Sequence, residues 1–208
     1  MKAIIFDWDL TLWNSWDIHV GLMRRTADAL GLPRPSQAEI AHQYSQPFLG
    51  HLAHFFQGDQ QRVLDTYLEF YHEAVSREGG LYPRVVETLG FLKDQGQLLA
   101  VFSDKRTAFG ELELDLTGLG PMMTYTLFLE DGRPYKPDPE GLIQVINALG
   151  VSPSEAIYVG DTYDDMDCAR RAGLASGAAL WGCLDREALL SRRPEYYWQQ
   201  VDQMLDSF

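Results

Sequence analysis

The sequence has few of the residues from which zinc sites, nucleic-acid surfaces and membrane spans are built. Only two cysteines occur, Cys168 and Cys183, and both fall in predicted buried elements, so we expect small core residues rather than a zinc site. With 30 acidic and 17 basic residues the net charge is −13, which argues against a nucleic-acid partner because such partners need a basic surface. No apolar run approaches the ~18 residues that cross a bilayer, and the N-terminus lacks the order of a signal peptide. We therefore expect a cytoplasmic protein with no nucleic-acid and no membrane partner.

Lysine is scarce, and histidine is confined to one part of the chain. Lysine occurs at four positions, and two of them, Lys105 and Lys136, fall in predicted loops at strand ends. All five histidines lie between residues 15 and 79. An acidic protein that acts on an anionic substrate needs local positive charge, so these two lysines are candidates for substrate contacts.

The hydrophobic periodicity divides the chain into two kinds of segment. Residues 15–79 show helical spacing, with Ser36 and Glu39 as a capping box, which predicts a small all-helical insert. Residues 1–14 and 80–208 alternate strands with helices, which predicts an α/β fold with a Rossmann-like parallel sheet core flanked by helices. The predicted strands are the run that ends at Phe6, then 98–102, 124–129, 156–159 and 176–181, with a short one at 196–198.

The first predicted strand ends in two carboxylates. Its apolar run leads directly into Asp7-Trp8-Asp9-Leu10-Thr11. Short buried apolar runs are typical of central strands in a parallel sheet, and ligand sites lie beyond the carboxyl ends of such strands. Side chains alternate along a strand, so Asp7 and Asp9 can serve one site only if the backbone turns after Asp7. The pair predicts an aspartate nucleophile and an acid/base aspartate acting on a phosphate ester with a divalent metal; a solvated turn in an acidic chain is the alternative.

Three further strand ends also carry polar clusters. They are Ser103-Asp104-Lys105, the loop that contains Lys136, and the group Asp161, Asp164 and Asp165. Each cluster alone has a simpler explanation: a solvated lysine, a serine helix cap, or acids favoured by the dipole at a helix N-terminus. The carboxyl ends of parallel strands face one edge of the sheet, so the combination predicts a single site.

Together these motifs resemble the haloacid dehalogenase-like hydrolase superfamily. The resemblance is carried by Asp7-Trp8-Asp9-Leu10-Thr11, by Ser103 after an apolar strand, by Lys136-Pro137 and by Gly160-Asp161-x-x-x-Asp165. The insert at 15–79 resembles the type-1 cap of that family, and the chain is most similar to the phosphoglycolate phosphatase-like branch. That branch usually has glycine where this chain has Leu10 and a smaller residue where it has Trp13, but neither position supplies catalytic atoms.

The resemblance implies a catalytic role for four residues. Asp7 would attack phosphorus and form an aspartyl-phosphate. Asp9 would protonate the leaving oxygen and then deprotonate the water that clears the intermediate. Ser103 would hydrogen-bond a phosphate oxygen, and Lys136 would neutralise both Asp7 and the transferring group.

A metal site and a substrate site are implied in the same way. Mg²⁺ would be held by Asp7, by the backbone carbonyl of Asp9 and by Asp161, with Asp165 beside or behind it. The loop 46–51 is the candidate for substrate selection, because a cap loop can reach over the catalytic edge. The predicted substrate contacts are Ser103, Asp104, Lys105, Lys136 and His51.

Charge repulsion gives a separate reason to expect a cation. Two like charges ~4 Å apart repel by ~4 kcal/mol at an effective dielectric of ~20, and a phosphate dianion approaching Asp7 meets several such repulsions. Mg²⁺ suits oxygen ligands and phosphates, whereas histidine or thiolate ligands would favour zinc.

We therefore expect a Mg²⁺-dependent phosphatase for a small phosphorylated metabolite, with the oligomeric state left open. The cap is expected to open and close at the connections 13–15 and 79–83. One alternative is a sugar phosphomutase, which returns the phosphoryl group to another hydroxyl. The other is a receiver-like binding module that is phosphorylated but does not turn over.

Overall fold

The computed structural model describes residues 1–44 and 46–208, which form two compact units. The core unit consists of Met1–Asn14 and Gly80–Phe208, and the helical unit consists of Ser15–Gly79. The hydrophobic periodicity changes at these same two places along the sequence. That the core unit is catalytic and that the helical unit is a cap both stay predictions.

Six parallel strands form the sheet of the core unit. They are β1 (Ala3–Phe6), β2 (Leu98–Arg106), β3 (Tyr125–Leu129), β4 (Ala156–Gly160), β5 (Ala175–Ala179) and β6 (Tyr196–Trp198). Their order across the sheet is β3-β2-β1-β4-β5-β6. Parallel neighbours need crossover connections, and helices supply them here. The predicted α/β fold is confirmed.

Helices account for most of the remaining described residues. The helical unit contains α1 (Trp16–Leu30), α2 (Gln37–Gln43), α3 (Phe48–Phe55) and α4 (Gln60–Glu78). The core unit contains α5 (Val85–Asp94), α6 (Thr107–Thr117), α7 (Glu140–Leu149), α8 (Tyr163–Ala172) and α9 (Arg186–Ser191), with 3-10 turns at Gly120–Met122, Pro153–Glu155 and Val201–Asp206. Within the described part of the chain, no helix combines the length and the apolar character that crossing a membrane requires.

Strand β1 lies in the middle of the sheet because it is apolar on both faces, and all four of its residues are buried. It pairs with β2 on one side and with β4 on the other, and Phe6 lies opposite both Val101 and Val159. The Asp7 amide still donates to the Val159 carbonyl at 2.8 Å. The chain therefore leaves the sheet at Asp7, between the ends of two neighbouring strands.

Strand β2 and helix α9 of the core unit differ most from the sequence prediction, and β5 ends at Ala179 rather than at residue 181. Strand β2 continues past the predicted end at Phe102 to Arg106, because Arg106 pairs with Leu129 after a shift of register. Helix α9 is absent from the prediction although its cap is visible in the sequence: the Asp185 carboxylate accepts a hydrogen bond from the Ala188 amide at 2.9 Å.

Candidate active site

The chain turns sharply directly after β1. The Trp8 carbonyl accepts hydrogen bonds from the amides of Leu12 at 3.0 Å and Trp13 at 2.9 Å, and Leu10 has a φ of 57°. The strand therefore ends before Asp9. This is the backbone turn that the sequence argument requires for Asp7 and Asp9 to act together.

The turn is packed against the loop that follows β5. Trp181 Nε1 donates to the Thr11 carbonyl at 2.9 Å. A Cβ at position 182 would lie 1.7 Å from the Leu10 carbonyl oxygen, so only glycine can occupy Gly182. Leu10 itself is 1% exposed and adopts a left-handed conformation that glycine adopts without strain. Tertiary packing thus holds a leucine at the position where the phosphoglycolate phosphatase-like branch usually has glycine.

Three buried carboxylates meet at the carboxyl edge of the sheet. Asp7, Asp161 and Asp165 each offer an oxygen, and these oxygens lie within 4.8 Å of one another. Lys136 Nζ lies 3.0 Å from Asp7 Oδ1 and 2.8 Å from Asp165 Oδ1. Three loops that are far apart in sequence therefore converge on Asp7.

Asp165 is the most heavily bonded member of this group. Its Oδ1 accepts hydrogen bonds from Lys136 Nζ at 2.8 Å and from the Tyr158 hydroxyl at 3.1 Å. Its Oδ2 accepts from the Thr162 amide at 2.9 Å and from the Thr162 hydroxyl at 2.6 Å. The carboxylate caps α8 and anchors Lys136, so both of its oxygens are already engaged by groups of the protein.

The surroundings of Asp7 and Asp161 disfavour the ionised carboxylates, so the pKa of each residue is raised. Burial raises the pKa of Asp7 to about 7, with help from Asp165, although Lys136 and a hydrogen bond with Ser103 lower it. Burial, followed by the nearby Asp165 and Asp7 carboxylates, raises the pKa of Asp161 well above its usual range. Three carboxylates face one ammonium group, which leaves two negative charges if all are ionised.

The group fits a divalent cation. The buried Asp7 Oδ1 contacts the Lys136 ammonium group at 3.0 Å and lies within 4.8 Å of carboxylate oxygens of Asp161 and Asp165. Asp161 Oδ1 accepts a hydrogen bond from the Thr11 hydroxyl at 3.1 Å. Carboxylate oxygens with an excess of two negative charges are the donor set that Mg²⁺ prefers. The side chain of Asp9 does not belong to this group, and a metal contact through its backbone carbonyl stays a prediction.

Ser103 and Asp104 lie on β2 beside Asp7. Ser103 is buried and its hydroxyl hydrogen-bonds to Asp7, whereas its contact with a phosphate oxygen stays a prediction. Asp104 Oδ2 accepts a hydrogen bond from the Lys136 amide at 2.8 Å, and Asp104 Oδ1 lies 3.7 Å from Arg133 Nη1. The predicted substrate contact of Asp104 has no support in this geometry, because its carboxylate holds the loop that presents Lys136.

Lys105 contacts two carboxylates of the protein, and its predicted substrate contact stays a prediction. The Lys105 Nζ lies 2.8 Å from Asp9 Oδ1 and 2.8 Å from Glu113 Oε1, so its ammonium group forms ion pairs with two carboxylates of the protein. Burial lowers the pKa of Lys105, but the Asp9 and Glu113 carboxylates raise it more, and the net shift is upward. The sequence analysis did not single out Glu113. Glu111 and Glu113 are both acids on the same predicted helix, and the helical pattern does not show that Glu111 is exposed whereas Glu113 is buried.

His51 lies inside the helical unit and not in a loop. The predicted loop 46–51 is wrong from Phe48 onward, because residues Phe48–Phe55 form α3 despite Gly50. His51 is buried; its Nδ1 lies 2.9 Å from the Gln43 carbonyl and its Nε2 lies 3.0 Å from His19 Nε2. Both ring nitrogens have partners within the unit, so the structure gives the predicted substrate contact of His51 no support.

Fold and site together define an α/β enzyme with a buried carboxylate–lysine centre at the carboxyl edge of a parallel sheet. The sequence profile of the haloacid dehalogenase-like hydrolases matches residues 4–179. The chain therefore belongs to the haloacid dehalogenase-like hydrolase family.

Individual relatives agree with this assignment. Pyrophosphatase PpaX of Bacillus pumilus is 27% identical over 205 residues, which cover 99% of this chain and 95% of the relative. Phosphoglycolate phosphatase of Escherichia coli is 28% identical over 148 residues, which cover 71% of this chain and 59% of the relative. A crystal structure described as a predicted phosphoglycolate phosphatase from Haemophilus somnus has a TM-score of 0.91 at 23% identity, over 100% of this chain and 97% of its own, and it shares the fold.

Proposed function

We propose that the protein is a Mg²⁺-dependent phosphatase that hydrolyses a small phosphorylated metabolite through an aspartyl-phosphate on Asp7. The observation that carries this proposal is the convergence on Asp7 of one ammonium group and two further carboxylates, with Lys136 Nζ 3.0 Å away and Asp161 within the same 4.8 Å cluster. A carboxylate can attack a phosphate dianion only where cations offset the repulsion. Lys136 supplies one, and the charge excess of the cluster calls for another.

The residues of the site divide the reaction into two displacements. In the first, an Asp7 oxygen forms a bond to phosphorus while the bond to the leaving oxygen breaks, and Asp9 gives that oxygen a proton. In the second, Asp9 takes a proton from water, whose oxygen bonds to phosphorus and releases Asp7 and inorganic phosphate. Ser103 and Lys136 hold the phosphoryl oxygens through both steps.

Mg²⁺, held by Asp7, Asp161 and the backbone carbonyl of Asp9, would neutralise charge on the transferring phosphoryl group. Asp165 would keep Lys136 in place through the contacts described above. The cytoplasmic location and the absence of nucleic-acid partners stay predictions from composition.

The names of the relatives suggest two substrates that differ in their leaving groups. The Bacillus pumilus relative is called a pyrophosphatase and the Escherichia coli relative a phosphoglycolate phosphatase. Pyrophosphate releases phosphate, a stable anion that needs little proton donation, whereas phosphoglycolate releases an alkoxide that needs a proton. We therefore propose pyrophosphate and phosphoglycolate as the first two substrates to test.

The test measures released inorganic phosphate with Mg²⁺ present, for the wild type and for Asp7→Asn. The variant should lose at least about 1,000-fold in kcat because the nucleophile is gone, while its circular dichroism spectrum stays that of the wild type. Asp115→Asn, an exposed acid on α6, is the control and should keep full activity.

Appreciable turnover by Asp7→Asn would remove Asp7 as nucleophile. Conversion of a sugar phosphate to its isomer without released phosphate would favour the phosphomutase. A protein that acquires a stable phosphoryl group and never turns over would be a receiver-like module.

A further inference from the structure

Three contacts connect four side chains, one of which belongs to the proposed acid/base residue Asp9. Lys105 Nζ contacts Asp9 Oδ1 and Glu113 Oε1, each at 2.8 Å. The other oxygen of Glu113, Oε2, accepts a hydrogen bond from Trp8 Nε1 at 2.7 Å. Trp8 precedes Asp9 in sequence, so the contacts run from Asp9 through Lys105 and Glu113 back to the residue beside Asp9.

This chain of contacts is held by buried apolar packing. Trp8 is fully buried, and its ring meets Phe128 edge-on with centroids 6.0 Å apart. Phe128 in turn lies against Gly110 of α6, where a Cβ would be 2.3 Å from the Phe128 ring. Gly110 thus lets α6 approach β3 closely, and Glu113 lies one helical turn further along. The position of Glu113 is therefore set by packing that does not involve the substrate.

The arrangement gives the Lys105 ammonium group two partners with different exposure. The side chain of Glu113 is 1% exposed and that of Asp9 is 25% exposed. A buried ammonium group without a partner is costly, and Glu113 stays in contact with Lys105 when Asp9 turns toward a substrate. Lys105 can then receive Asp9 again after each step.

We infer that Lys105 and Glu113 are positioning residues that hold the Asp9 side chain ready for proton transfer, and that Lys105 does not bind the substrate phosphate. The inference rests on the proposed function, because it assigns Asp9 the acid/base role. It replaces the substrate contact predicted for Lys105 with a role that acts through Asp9.

The two roles of Lys105 differ in how they depend on the leaving group. We compare the kcat and KM of Lys105→Met for an alkyl phosphate, which needs a proton on its leaving oxygen, and for p-nitrophenyl phosphate, which does not. The positioning role predicts that kcat for the alkyl phosphate falls by about 10- to 100-fold, that kcat for p-nitrophenyl phosphate changes by less than about threefold, and that neither KM rises. A phosphate contact would instead raise KM for both esters.

Lys105→Met leaves Glu113 buried without its cation, so a second variant protects the test against misfolding. Lys105→Met combined with Glu113→Gln removes both charges and should fold, with the same selective loss of alkyl phosphate turnover. Lys105→Arg should recover much of that turnover, since a guanidinium group can also contact both carboxylates. Lys93→Met and Glu111→Gln, both at exposed positions of the core unit, are the matched controls and should leave both rates unchanged.

The Asp9→Asn background separates this inference from the proposed function. There Lys105→Met should cause no further selective loss, because the residue through which Lys105 acts has been removed. An equal additional loss in that background, or a rise of KM for both esters, would overturn the positioning role and leave the phosphatase in place. If the wild type releases phosphate neither from these two esters nor from pyrophosphate or phosphoglycolate, the proposed function fails and this inference fails with it.

Discussion

At the scale of single residues, Leu10 shows a conformation that opposes the usual preference of its side chain. Its φ of 57° lies in the left-handed region, where a non-glycine residue costs about 1–2 kcal/mol. The residue is kept there by the approach of Gly182 to its carbonyl oxygen. Its side chain is buried, so the strain and the packing act in opposite directions on stability.

The balance of these two effects predicts the sign of the Leu10→Gly substitution. Relief of strain stabilises the variant by about 1–2 kcal/mol. Loss of a buried leucine side chain costs about 2–5 kcal/mol, which is larger. We expect the free energy of unfolding in urea to fall by about 1–3 kcal/mol. A variant more stable than the wild type would contradict this reasoning.

At the scale of secondary-structure elements, the order of the strands brings the site together. Strand β1 lies between β2 and β4, so the loop that begins at Asp7 lies between Ser103 and Asp161. The β3 neighbour on the far side of β2 contributes the following loop with Lys136. Adjacent parallel strands end at one edge, which is why four distant segments of sequence can serve one carboxylate.

A second element-scale feature is the histidine pair of the helical unit, in which His51 is buried and His19 is half-buried. The Gln43 carbonyl can only accept, so His51 Nδ1 donates to it, and a neutral His51 then accepts from His19 Nε2. A proton added to His51 would place two N–H groups against each other. Burial lowers the pKa of His51 below its usual value, and nearby His54 adds to this effect, whereas the Gln43 hydrogen bond opposes it.

This lowered pKa predicts that acid destabilises the helical unit. The unfolded chain binds a proton at His51 near pH 6.5 while the folded unit resists it, so stability is complete above that pH and falls as the pH drops below it. The slope from one such group is at most about 1.4 kcal/mol per pH unit. Urea unfolding between pH 7.5 and 5 should show this dependence, weaker in His51→Gln than in the exposed control His72→Gln. Identical slopes in the two variants would contradict the assignment.

At the scale of the whole molecule, three acidic side chains of a strongly acidic chain lie together where a cation fits. The net charge is −13, and the Asp7, Asp161 and Asp165 group contributes three buried carboxylates against the one ammonium of Lys136. Repulsion within the group opposes folding, and a cation bound only by the folded state would offset it.

Mg²⁺ should therefore raise the melting temperature of the protein without any substrate. At a free concentration 100 times the dissociation constant the stabilisation is about 2.7 kcal/mol, which for a chain of this size corresponds to about 5–10 °C. Asp161→Asn should raise the melting temperature measured in chelator, because one repelling carboxylate is gone, and should abolish most of the rise with Mg²⁺. Asp115→Asn should respond to Mg²⁺ as the wild type does; equal responses from both variants would exclude Asp161 as a ligand.

Local pattern was enough to determine the parallel α/β fold and to place polar side chains at the ends of its strands. Strand-forming apolar runs, such as the one that ends at Phe6, end directly before Asp7, Ser103 and Asp161, and the geometry of parallel strands places those ends at one edge. The spacing of apolar residues along the sequence indicates which positions are buried, and this information is local.

Tertiary structure alone decided which polar groups are partners. Trp8 and Glu113 are 105 positions apart in the sequence, and Lys105 and Asp9 are 96 apart. A contact between residues so far apart does not change the hydrophobic periodicity. The sequence therefore could not show that Lys105 contacts two carboxylates or that both oxygens of Asp165 accept hydrogen bonds from the protein. The partners of Asp104 and His51 were hidden for the same reason, because they come from other elements, and the predicted substrate contacts of both residues stay predictions.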